Sequence, residues 1–406
     1  MHSPKPKTVV IVGGSLAGLM HALMLLSQPD PPTVQILERS PTALLHNQGA
    51  GVVAGNETQK FFDKIVKPVR DIAVTSQLRL YLDKAGRVME GSVEERQQRM
   101  TSWDLLYHLL RWRVEGLQSD YVDGLEADGR PKASYLNGCT VTALEESGEK
   151  MKLSWTQMDL GEQTCEADLI IAADGASSTI RRLLVPGVER KYVGYVAWRG
   201  TVPETQLSDA AKEVFVEKFP FYHSTGIQIL GYLIPGTNGT TEPGHRLFNW
   251  VWYCNYDDGS EALEELMTDV HGRKHAITLP VGTMNPEAWS KQKTYASELL
   301  PPQYAEAVHK TEQPFIQAVT DVISPQNSFF DGKVLLVGDA LAGFRPHTAA
   351  STSQAAFDAL KMGEWFGGEI DKTTYDMRIL GYAKALQEKG VMLGERSQFG
   401  RHPFAG

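Results

Sequence analysis

The strongest constraint on the fold is the order of elements at the start of the chain: a buried strand, a glycine-rich turn, a helix and a second strand. Residues 8–12 are a continuous apolar run rich in β-branched side chains, typical of a strand covered on both faces. Three glycines follow within residues 13–18, and the apolar run 19–26 has the composition of a helix. Residues 33–37 predict the second strand. The chain is therefore predicted to begin with a β-α-β unit.

The turn between the first strand and the helix has the spacing of a dinucleotide-binding turn. It consists of Gly13, Gly14, Ser15, Leu16, Ala17 and Gly18. Glycines at its two ends permit a tight turn and close packing of helix on strand, and the helix N-terminus then faces the phosphates. Ser15 replaces the central glycine of the strict pattern, but it is small. Glu38, twenty residues after Gly18, ends the second strand where a carboxylate can bind a ribose hydroxyl. A glycine-rich turn with an unrelated acid is the alternative, and the flanking strands favour the nucleotide.

Composition narrows the classes of function. The net charge of −9 disfavours a nucleic-acid role, since phosphate binding needs a clustered basic surface. The three cysteines are widely spaced, and no disulfide framework, CxxC or zinc pattern is present, so no metal site is expected. No run approaches the roughly 18 apolar residues of a membrane span, and no secretory signal precedes the first strand. We expect a cytoplasmic enzyme without a membrane span.

The residue composition and pattern of the chain change near residue 190. Strand signals and aromatic residues dominate 190–280, which predicts a separate antiparallel sheet. Residues 284–320 have a helical composition interrupted by prolines, and 333–337 repeat the buried-strand pattern. Earlier in the chain, 78–89 predict a hairpin. A helix of small residues is expected from about Thr348.

Two further motifs identify the dinucleotide. Asp174-Gly175 follows one predicted buried strand, and Gly338-Asp339 follows another, within the segment 332–348. These segments resemble the Asp-Gly and Gly-Asp motifs of the FAD-dependent aromatic hydroxylases. Together with the first turn they have the order and spacing of that family. Segments in the middle of the chain, among them 192–200, are similar to the hydroxypyridine monooxygenases within it.

The resemblance implies an α/β fold. It consists of a Rossmann-like FAD-binding domain of the para-hydroxybenzoate-hydroxylase type, an inserted, mainly antiparallel β-sheet substrate domain, and C-terminal helices. The FAD-binding domain is expected at residues 1–77, 98–185 and 318–365, the substrate domain at 78–97 and 186–317, and a C-terminal helical segment at 366–406.

The resemblance also implies a monooxygenase with FAD as cofactor, NADPH or NADH as transient reductant, and O₂ as co-substrate. It would hydroxylate an electron-rich hydroxylated ring, of hydroxypyridine or phenol type, through a flavin C4a-hydroperoxide. Because the flavin carries the reactive oxygen, no protein nucleophile is needed. The expected partner is a small aromatic substrate, and base rates favour a homodimer.

The cofactor is expected to contact all three motifs. The expected FAD-binding residues are Gly13, Gly14, Ser15, Leu16, Ala17, Gly18, Glu38, Arg39, Gly51, Val52, Asp174, Gly175, Gly338, Asp339, Thr348, Ala349 and Ala350. Arg39 would pair with phosphate or stack near adenine, and residues 49–51 would bring backbone close to the isoalloxazine. The helix after Thr348 would direct its positive end toward the flavin. Family members often carry a basic or amide residue before the helix at 103, where this chain has Ser102.

The aromatic pocket is expected on the antiparallel sheet. Its candidate substrate residues are Tyr195, Arg199, Tyr232, Asn249, Tyr253 and Pro346. On the strand 246–253, one face carries Tyr253 and the other Trp252, and the sequence leaves open which face lines the pocket. His347 and His223 are candidate catalytic acid–base groups. A structural histidine bonded to backbone is the alternative, above all for His223.

Two other functions stay open. A flavoprotein oxygenase that performs epoxidation, Baeyer–Villiger oxidation or oxidative decarboxylation on a larger natural product would use the same cofactor motifs, and a closed aromatic pocket would favour the hydroxylase over it. A non-catalytic FAD-binding protein is less favoured, because the Asp-Gly and Gly-Asp motifs position a flavin.

Overall fold

The computed structural model describes residues 5–45, 51–126 and 129–404. Its strands are β1 (Thr8–Val12), β2 (Thr33–Leu37), β3 (Gly51–Val53), β4 (Val74–Tyr81), β5 (Glu94–Ser102), β6 (Ser134–Leu136), β7 (Cys139–Ser147), β8 (Lys150–Gln157), β9 (Gly161–Ala167), β10 (Leu169–Ala172), β11 (Lys191–Pro203), β12 (Lys218–Ser224), β13 (Ile227–Ile234), β14 (Leu247–Asn255), β15 (Thr278–Leu279), β16 (Phe315–Ile323), β17 (Ser328–Phe329), β18 (Val334–Leu336) and β19 (Ala342–Gly343). Its α-helices are α1 (Leu16–Leu26), α2 (Asn56–Phe61), α3 (Trp103–Glu115), α4 (Thr179–Leu184), α5 (Asp209–Phe215), α6 (Glu261–Leu266), α7 (Pro286–Leu299), α8 (Pro302–Lys310), α9 (Ser351–Phe366) and α10 (Lys372–Gln398).

The β-α-β unit at the start of the chain belongs to a six-stranded sheet with the order β17-β18-β10-β1-β2-β6. β18, β10, β1, β2 and β6 run parallel, and β17 is an antiparallel edge. β1 and β10 are apolar and buried because α1, α9 and the small sheet β7-β8-β9 pack around them. The predicted Rossmann-like layer is confirmed.

The carboxyl ends of these parallel strands carry the three sequence motifs. Gly13 directly follows β1, Glu38 directly follows β2, and Asp174 and Gly338 come two residues after β10 and β18. Because parallel strands end at the same edge of a sheet, motifs far apart in sequence meet at one edge, where α/β folds bind their ligands.

The aromatic strands form a second, larger sheet with the order β15-β16-β11-β14-β13-β12-β4-β5-β3. Its neighbouring strands are antiparallel except for the parallel pair β12 and β4. One face buries Trp198, Trp250 and Trp252, and Trp289 of α7 stacks on the first two. The opposite face turns Tyr253 into a cavity, which answers the question that the alternation left open.

Three details differ from the sequence-based expectation. Residues 315–320 were predicted to be helical, but they lie in β16, because the alternating run Phe315–Ile323 fits between β11 and β15 better than it fits a helix. The expected helix at Thr348 begins three residues later, at Ser351, after a single 3₁₀ turn. The 78–89 hairpin is limited to a bridge between Leu82 and Val88, since β4 pairs with β5.

Three of the expected domain limits fall inside strands. Position 77/78 lies in β4, 97/98 in β5 and 317/318 in β16. These three strands therefore run continuously from one expected domain into the other. In the described ranges, no helix combines the length and the apolarity that a membrane crossing needs.

Candidate active site

The first turn requires glycine at both of its ends. Gly13 has a φ of 101°, and a Cβ there would lie 2.3 Å from the carbonyl oxygen of Ala173. A Cβ on Gly18 would lie 1.9 Å from the carbonyl oxygen of Gly13. Ser15 is the N-cap of α1, but its side chain accepts no hydrogen bond from the helix. The first N–H groups of α1 thus lack a capping side chain, which suits a phosphate at this position.

Glu38 braces the turn. Its carboxylate accepts hydrogen bonds from the Gly14 N–H at 2.8 Å and from the Ser40 N–H at 2.8 Å. Tyr135, in the middle of β6, donates to the Gly14 carbonyl at 3.0 Å. Arg39 is exposed at the same edge. The ribose contact expected of Glu38 would therefore use the lone pairs that these two N–H groups leave free.

The Asp-Gly motif forms the cap of α4. Asp174 accepts hydrogen bonds from the Ser178 hydroxyl at 2.5 Å and from the N–H groups of Thr179 and Ile180 at 2.7 and 3.2 Å. Burial raises the pKa of Asp174, and these hydrogen bonds oppose the rise. Gly175 follows with a φ of 77°, which favours glycine. The motif therefore fixes the turn that leaves β10.

The Gly-Asp motif touches the first turn. A Cβ on Gly338 would lie 2.8 Å from Cβ of Ala17. The Gly338 N–H donates to the Asp358 carboxylate at 2.8 Å, and Gln354 donates to the Gly338 carbonyl at 2.7 Å. Asp339 lines a cavity, and burial raises its pKa. The first and last motifs are thus parts of one edge.

The cavity, of about 450 Å³, lies between this edge, the large sheet and α10. The predicted residues that line it are Gly51, Val52, Arg199, Tyr232, Tyr253, Asp339, Pro346, His347, Thr348, Ala349 and Ala350. Predicted FAD residues and predicted substrate residues therefore share one space. The first turn, Glu38 and Arg39 are not among its lining residues.

The start of α9 borders the cavity without a capping side chain. Ala350 is the N-cap, and a methyl group accepts no hydrogen bond. Ala349 before it is left-handed with a φ of 50°. The buried hydroxyl oxygen of Thr348 has no hydrogen-bond partner within the described ranges. Free N–H groups at a helix N-terminus and an unpartnered hydroxyl fit the polar edge of a flavin.

Gly51 is surrounded by three of the predicted substrate residues. Its N–H donates to Asn249 at 3.0 Å, and Arg199 donates to its carbonyl at 3.2 Å. A Cβ on Gly51 would lie 2.7 Å from the Tyr232 ring. The Arg199 Nε and the Asn249 Nδ2 are buried and find no acceptor among the residues described. Arg199 lines the cavity, so its Nε remains available to a ligand.

His347 lies in a cluster of aromatic rings at the wall of the cavity. Its Nε2 is 2.9 Å from the Tyr195 hydroxyl, and its ring centroid is 4.4 Å from that of Tyr253. Burial, and then the charge of Arg345, lowers the pKa of His347 to about 3. Burial also raises the pKa of Tyr195. Both groups are therefore neutral near pH 7, and they form a neutral hydrogen-bonded pair.

His223 is placed differently from His347. It is buried outside the set of cavity-lining residues, and its ring stacks on His402 at 3.8 Å. Burial lowers its pKa to about 2. Because β12 points Phe221 into the cavity and carries His223 two residues beyond, the imidazole ends beneath the C-terminal segment, and we assign it no catalytic role.

Ser102 stands directly before α3, where family members often carry a basic or amide residue. Ser102 accepts a hydrogen bond from the Leu105 N–H at 3.2 Å and caps α3, as its sequence position predicts, but it does not line the cavity. Gly49 and Ala50, expected near the isoalloxazine, lie outside the described residues.

Sequence reasoning missed several polar residues of the site. Arg190 lines the cavity beside Asp339 and is held by Thr320 at 2.6 Å. Asp358 is fully buried under Gly338. Arg79 lines the cavity from β4. Of these residues, only Asp358 could have been recognised in the sequence, because it is the one acidic residue in the apolar part of a helix. No group of His, Cys, Asp or Glu in the described ranges could hold a metal ion.

Comparison with known proteins agrees with this geometry. A family model described as FAD binding domain-like matches residues 192–321. The chain is 30% identical over 403 residues to the 2,6-dihydroxypyridine 3-monooxygenase of Paenarthrobacter nicotinovorans, covering 98% of this chain and 93% of that protein.

Solved structures show the same similarity. The structure of 2,6-dihydroxypyridine-3-hydroxylase from Arthrobacter nicotinovorans matches with a TM-score of 0.82 and 27% identity, covering 99% of this chain and 97% of that one. HpxO of Klebsiella pneumoniae, solved with FAD and uric acid, matches with a TM-score of 0.69 and 16% identity over 98% and 89% of the two chains. At that identity the second match shows the fold alone.

Proposed function

Because the chain belongs to the FAD-dependent aromatic hydroxylases, we propose that it uses FAD, NADPH or NADH, and O₂ to hydroxylate an electron-rich hydroxylated ring of hydroxypyridine or phenol type. One observation carries the proposal beyond the family. Asp339 and the uncapped start of α9 share a single cavity with Arg199, Tyr232 and His347. A cofactor edge and an aromatic pocket thus face each other, as transfer of oxygen to a ring requires.

FAD would be held along the edge where the three motifs meet. The residues 13–18 and Glu38 would bind its adenosine diphosphate part, and Asp339 its ribityl chain. The start of α9 would place N–H groups and its positive end at the flavin ring. When bound there, FAD supplies the hydride acceptance and O₂ activation that no side chain provides.

His347 and Arg199 would divide the work on the substrate hydroxyl. Neutral His347 would accept the hydrogen bond of that hydroxyl, with Tyr195 fixing the ring through Nε2. Arg199, whose Nε has no partner in the described structure, would stabilise the negative charge that this hydrogen bond draws onto the hydroxyl oxygen. The added negative charge on the oxygen raises the electron density of the ring. Because its pKa is about 3, His347 should produce no change of rate near pH 6.5.

We also propose a division of the chain into a FAD-binding part and a substrate part. Residues 1–77, 98–185 and 318–365 would form the FAD-binding part, and 78–97 and 186–317 the substrate part, with the strands β4, β5 and β16 common to both. The segment 366–406 contributes α10, which roofs the cavity through Leu393.

Anaerobic stopped-flow absorbance tests the proposal. The purified yellow protein is mixed with NADPH or NADH, with and without a panel of hydroxypyridines and phenols, and O₂ is then admitted. We expect one ring to accelerate flavin reduction at least tenfold and to leave with one added oxygen atom. A protein without flavin, or one in which no ring is hydroxylated, would contradict the proposal.

A further inference from the structure

The cavity is markedly asymmetric in charge. Its basic lining residues are Arg79, Arg96, Arg190, Arg199, Lys389 and Arg396. Within the described ranges, Asp339 is the one acidic residue in the lining. Arg190 and Arg199 lie beside the cofactor edge and the ring site. The other four have no part in the proposed reaction.

Arg79 is the most enclosed of these four. Its guanidinium lies 4.3 Å from the centroid of the Phe221 ring and 5.7 Å from that of Tyr81. Its Nε is buried and has no hydrogen-bond partner in the part of the chain that the structure describes. A guanidinium that lies on aromatic faces and keeps an unsatisfied N–H is placed to bind an anion.

The roof of the cavity adds positive charge at the same place. Lys389 and Arg396 lie two helical turns apart on α10 and face the cavity. Burial first, and then Arg396 and Arg79, lowers the pKa of His402 to about 4. The guanidinium groups of Arg79 and Arg396 therefore act on one imidazole from opposite walls. Arg96 has only a loose, exposed ion pair, with Glu94 at 3.9 Å.

An aromatic wall joins this end of the cavity to the ring site. Tyr232, next to Gly51, is in edge contact with Phe219, with ring centroids 5.2 Å apart. The Phe219 and Phe221 centroids are 4.5 Å apart, and Arg79 lies on Phe221. Three successive contacts thus lead from the ring site to the guanidinium. A substituent of a bound ring that lies along this wall would point toward the guanidinium.

We propose that the substrate carries a carboxylate on a short substituent of its hydroxylated ring, and that Arg79 and Arg396 bind this carboxylate. The inference rests on the proposed function, because it takes the Gly51 end of the cavity as the ring site. It adds the chemical class of the substrate, an aryl acid, to the reaction type. The phosphates of the reduced nicotinamide are the other source of an anion at this end.

Equilibrium binding to the oxidised holoenzyme tests the inference. The probes are 3-(2,4-dihydroxyphenyl)propanoate and its primary amide, which differ in charge and little in shape, and the readout is the change in flavin absorbance. We expect the Kd of the acid to be at least about tenfold below that of the amide, as a charge-assisted pair supplies. Arg79→Gln should reduce this ratio to about twofold or less.

Matched variants separate the site from general charge effects. Lys384→Gln removes a positive charge from an exposed position of the same helix, outside the cavity lining, and should leave the ratio unchanged. Arg396→Gln, at an exposed position, should lower the ratio and replaces Arg79→Gln if that variant loses FAD. Equal affinity for acid and amide, or no binding of the acid, would overturn the inference. So would variants that raise only the KM of NADPH or NADH.

Turnover distinguishes failure of the inference from failure of the proposed function. Resorcinol, the parent ring of both probes, and the amide are assayed for hydroxylation by the wild-type holoenzyme. Hydroxylation without a preference for the acid would overturn the carboxylate site and leave the reaction intact. A preference that depends on Arg79, without hydroxylation of any ring, would support the site and contradict the reaction.

Discussion

At the scale of residues, the candidate site is marked by polar atoms that the fold buries without satisfying. Arg199 and Thr348 line the cavity and Asn249 lies against Gly51 of its wall, and the Arg199 Nε, the Asn249 Nδ2 and the Thr348 hydroxyl have no partners in the described ranges. Buried polar atoms are normally hydrogen-bonded, so their convergence indicates a ligand. The sequence alone predicted these three residues from the family motifs. It could not predict Arg79, because that position depends on the pairing of β4 with the distant strand β12.

Asp358 gives a prediction at this scale. Burial, with a smaller contribution from Asp339, raises the pKa of Asp358 to about 8, well above its ordinary value near 4. The folded state therefore holds a proton that the unfolded state releases, and stability falls as pH rises from about 4 through 8. Asp358→Asn keeps an acceptor for the Gly338 N–H without a charge. We expect its advantage in melting temperature over wild type to grow between pH 5 and 8.5.

Thermal melts of the two holoenzymes across this range provide the measurement. The expected growth of the difference corresponds to roughly a few kcal/mol. A difference in melting temperature between the two proteins that stays constant from pH 5 to 8.5 would show that the Asp358 carboxyl is already ionised in the folded protein.

At the scale of elements, the local sequence pattern predicted those strands and caps that interactions between nearby residues determine. The buried strands β1, β2 and β10 and the cap of α3 at Ser102 are where the sequence placed them. β16 was missed because prolines and helices precede it, and only its place between β11 and β15 makes it a strand. The start of α9 was misplaced because the 3₁₀ turn at 346–348 and left-handed Ala349 have no strong local signal.

A buried ion pair fixes the junction of β11 and β14. Arg246 donates to Glu204 through Nε at 2.8 Å and through a terminal nitrogen at 2.7 Å, and both residues are buried. Burial opposes ionisation, but the hydrogen bonds from Arg246 and from the Gly244 N–H, together with the charge of Arg246, outweigh it and lower the pKa of Glu204. Glu204→Gln breaks the pair and should destabilise the protein by about 3 kcal/mol at pH 7.

Urea unfolding with Glu217→Gln as the control measures this effect. Glu217 lies 3.5 Å from the same arginine but is 52% exposed, so its loss should cost much less. Because the folded pKa of Glu204 is lowered, the wild-type advantage should be present at neutral pH and disappear as pH falls below about 4. Equal destabilisation by the two variants would contradict the assignment.

At the scale of the whole molecule, the large sheet contains strands from both expected parts of the chain. Within this sheet β5 pairs with β3 and β4, and β16 pairs with β11 and β19. α10 packs on both β13 and β16. Because strands rather than flexible linkers cross three of the expected domain limits, neither part contains the whole large sheet without the other, whereas the six-stranded sheet lies entirely in the expected FAD-binding part.

Calorimetry of the holoenzyme tests this coupling. We expect a single endotherm, with a calorimetric enthalpy equal to the van't Hoff enthalpy, whose midpoint rises with added FAD. The experiment requires reversible unfolding, which a repeat scan establishes. Two resolved transitions, with FAD shifting only one of them, would show that the sheets unfold independently.

The contact between Ala17 and Gly338 also sets an order of events during synthesis. A ribosome delivers the first turn early, but the strand and glycine that complete the same edge emerge only after most of the chain has been made. Until then the nascent protein has only part of its cofactor-binding edge, and the apolar surface of α1 is not yet covered by α9. Supply of FAD to growing cells should therefore act on the finished chain, as the last step of maturation, and chaperones must shield this edge until it closes.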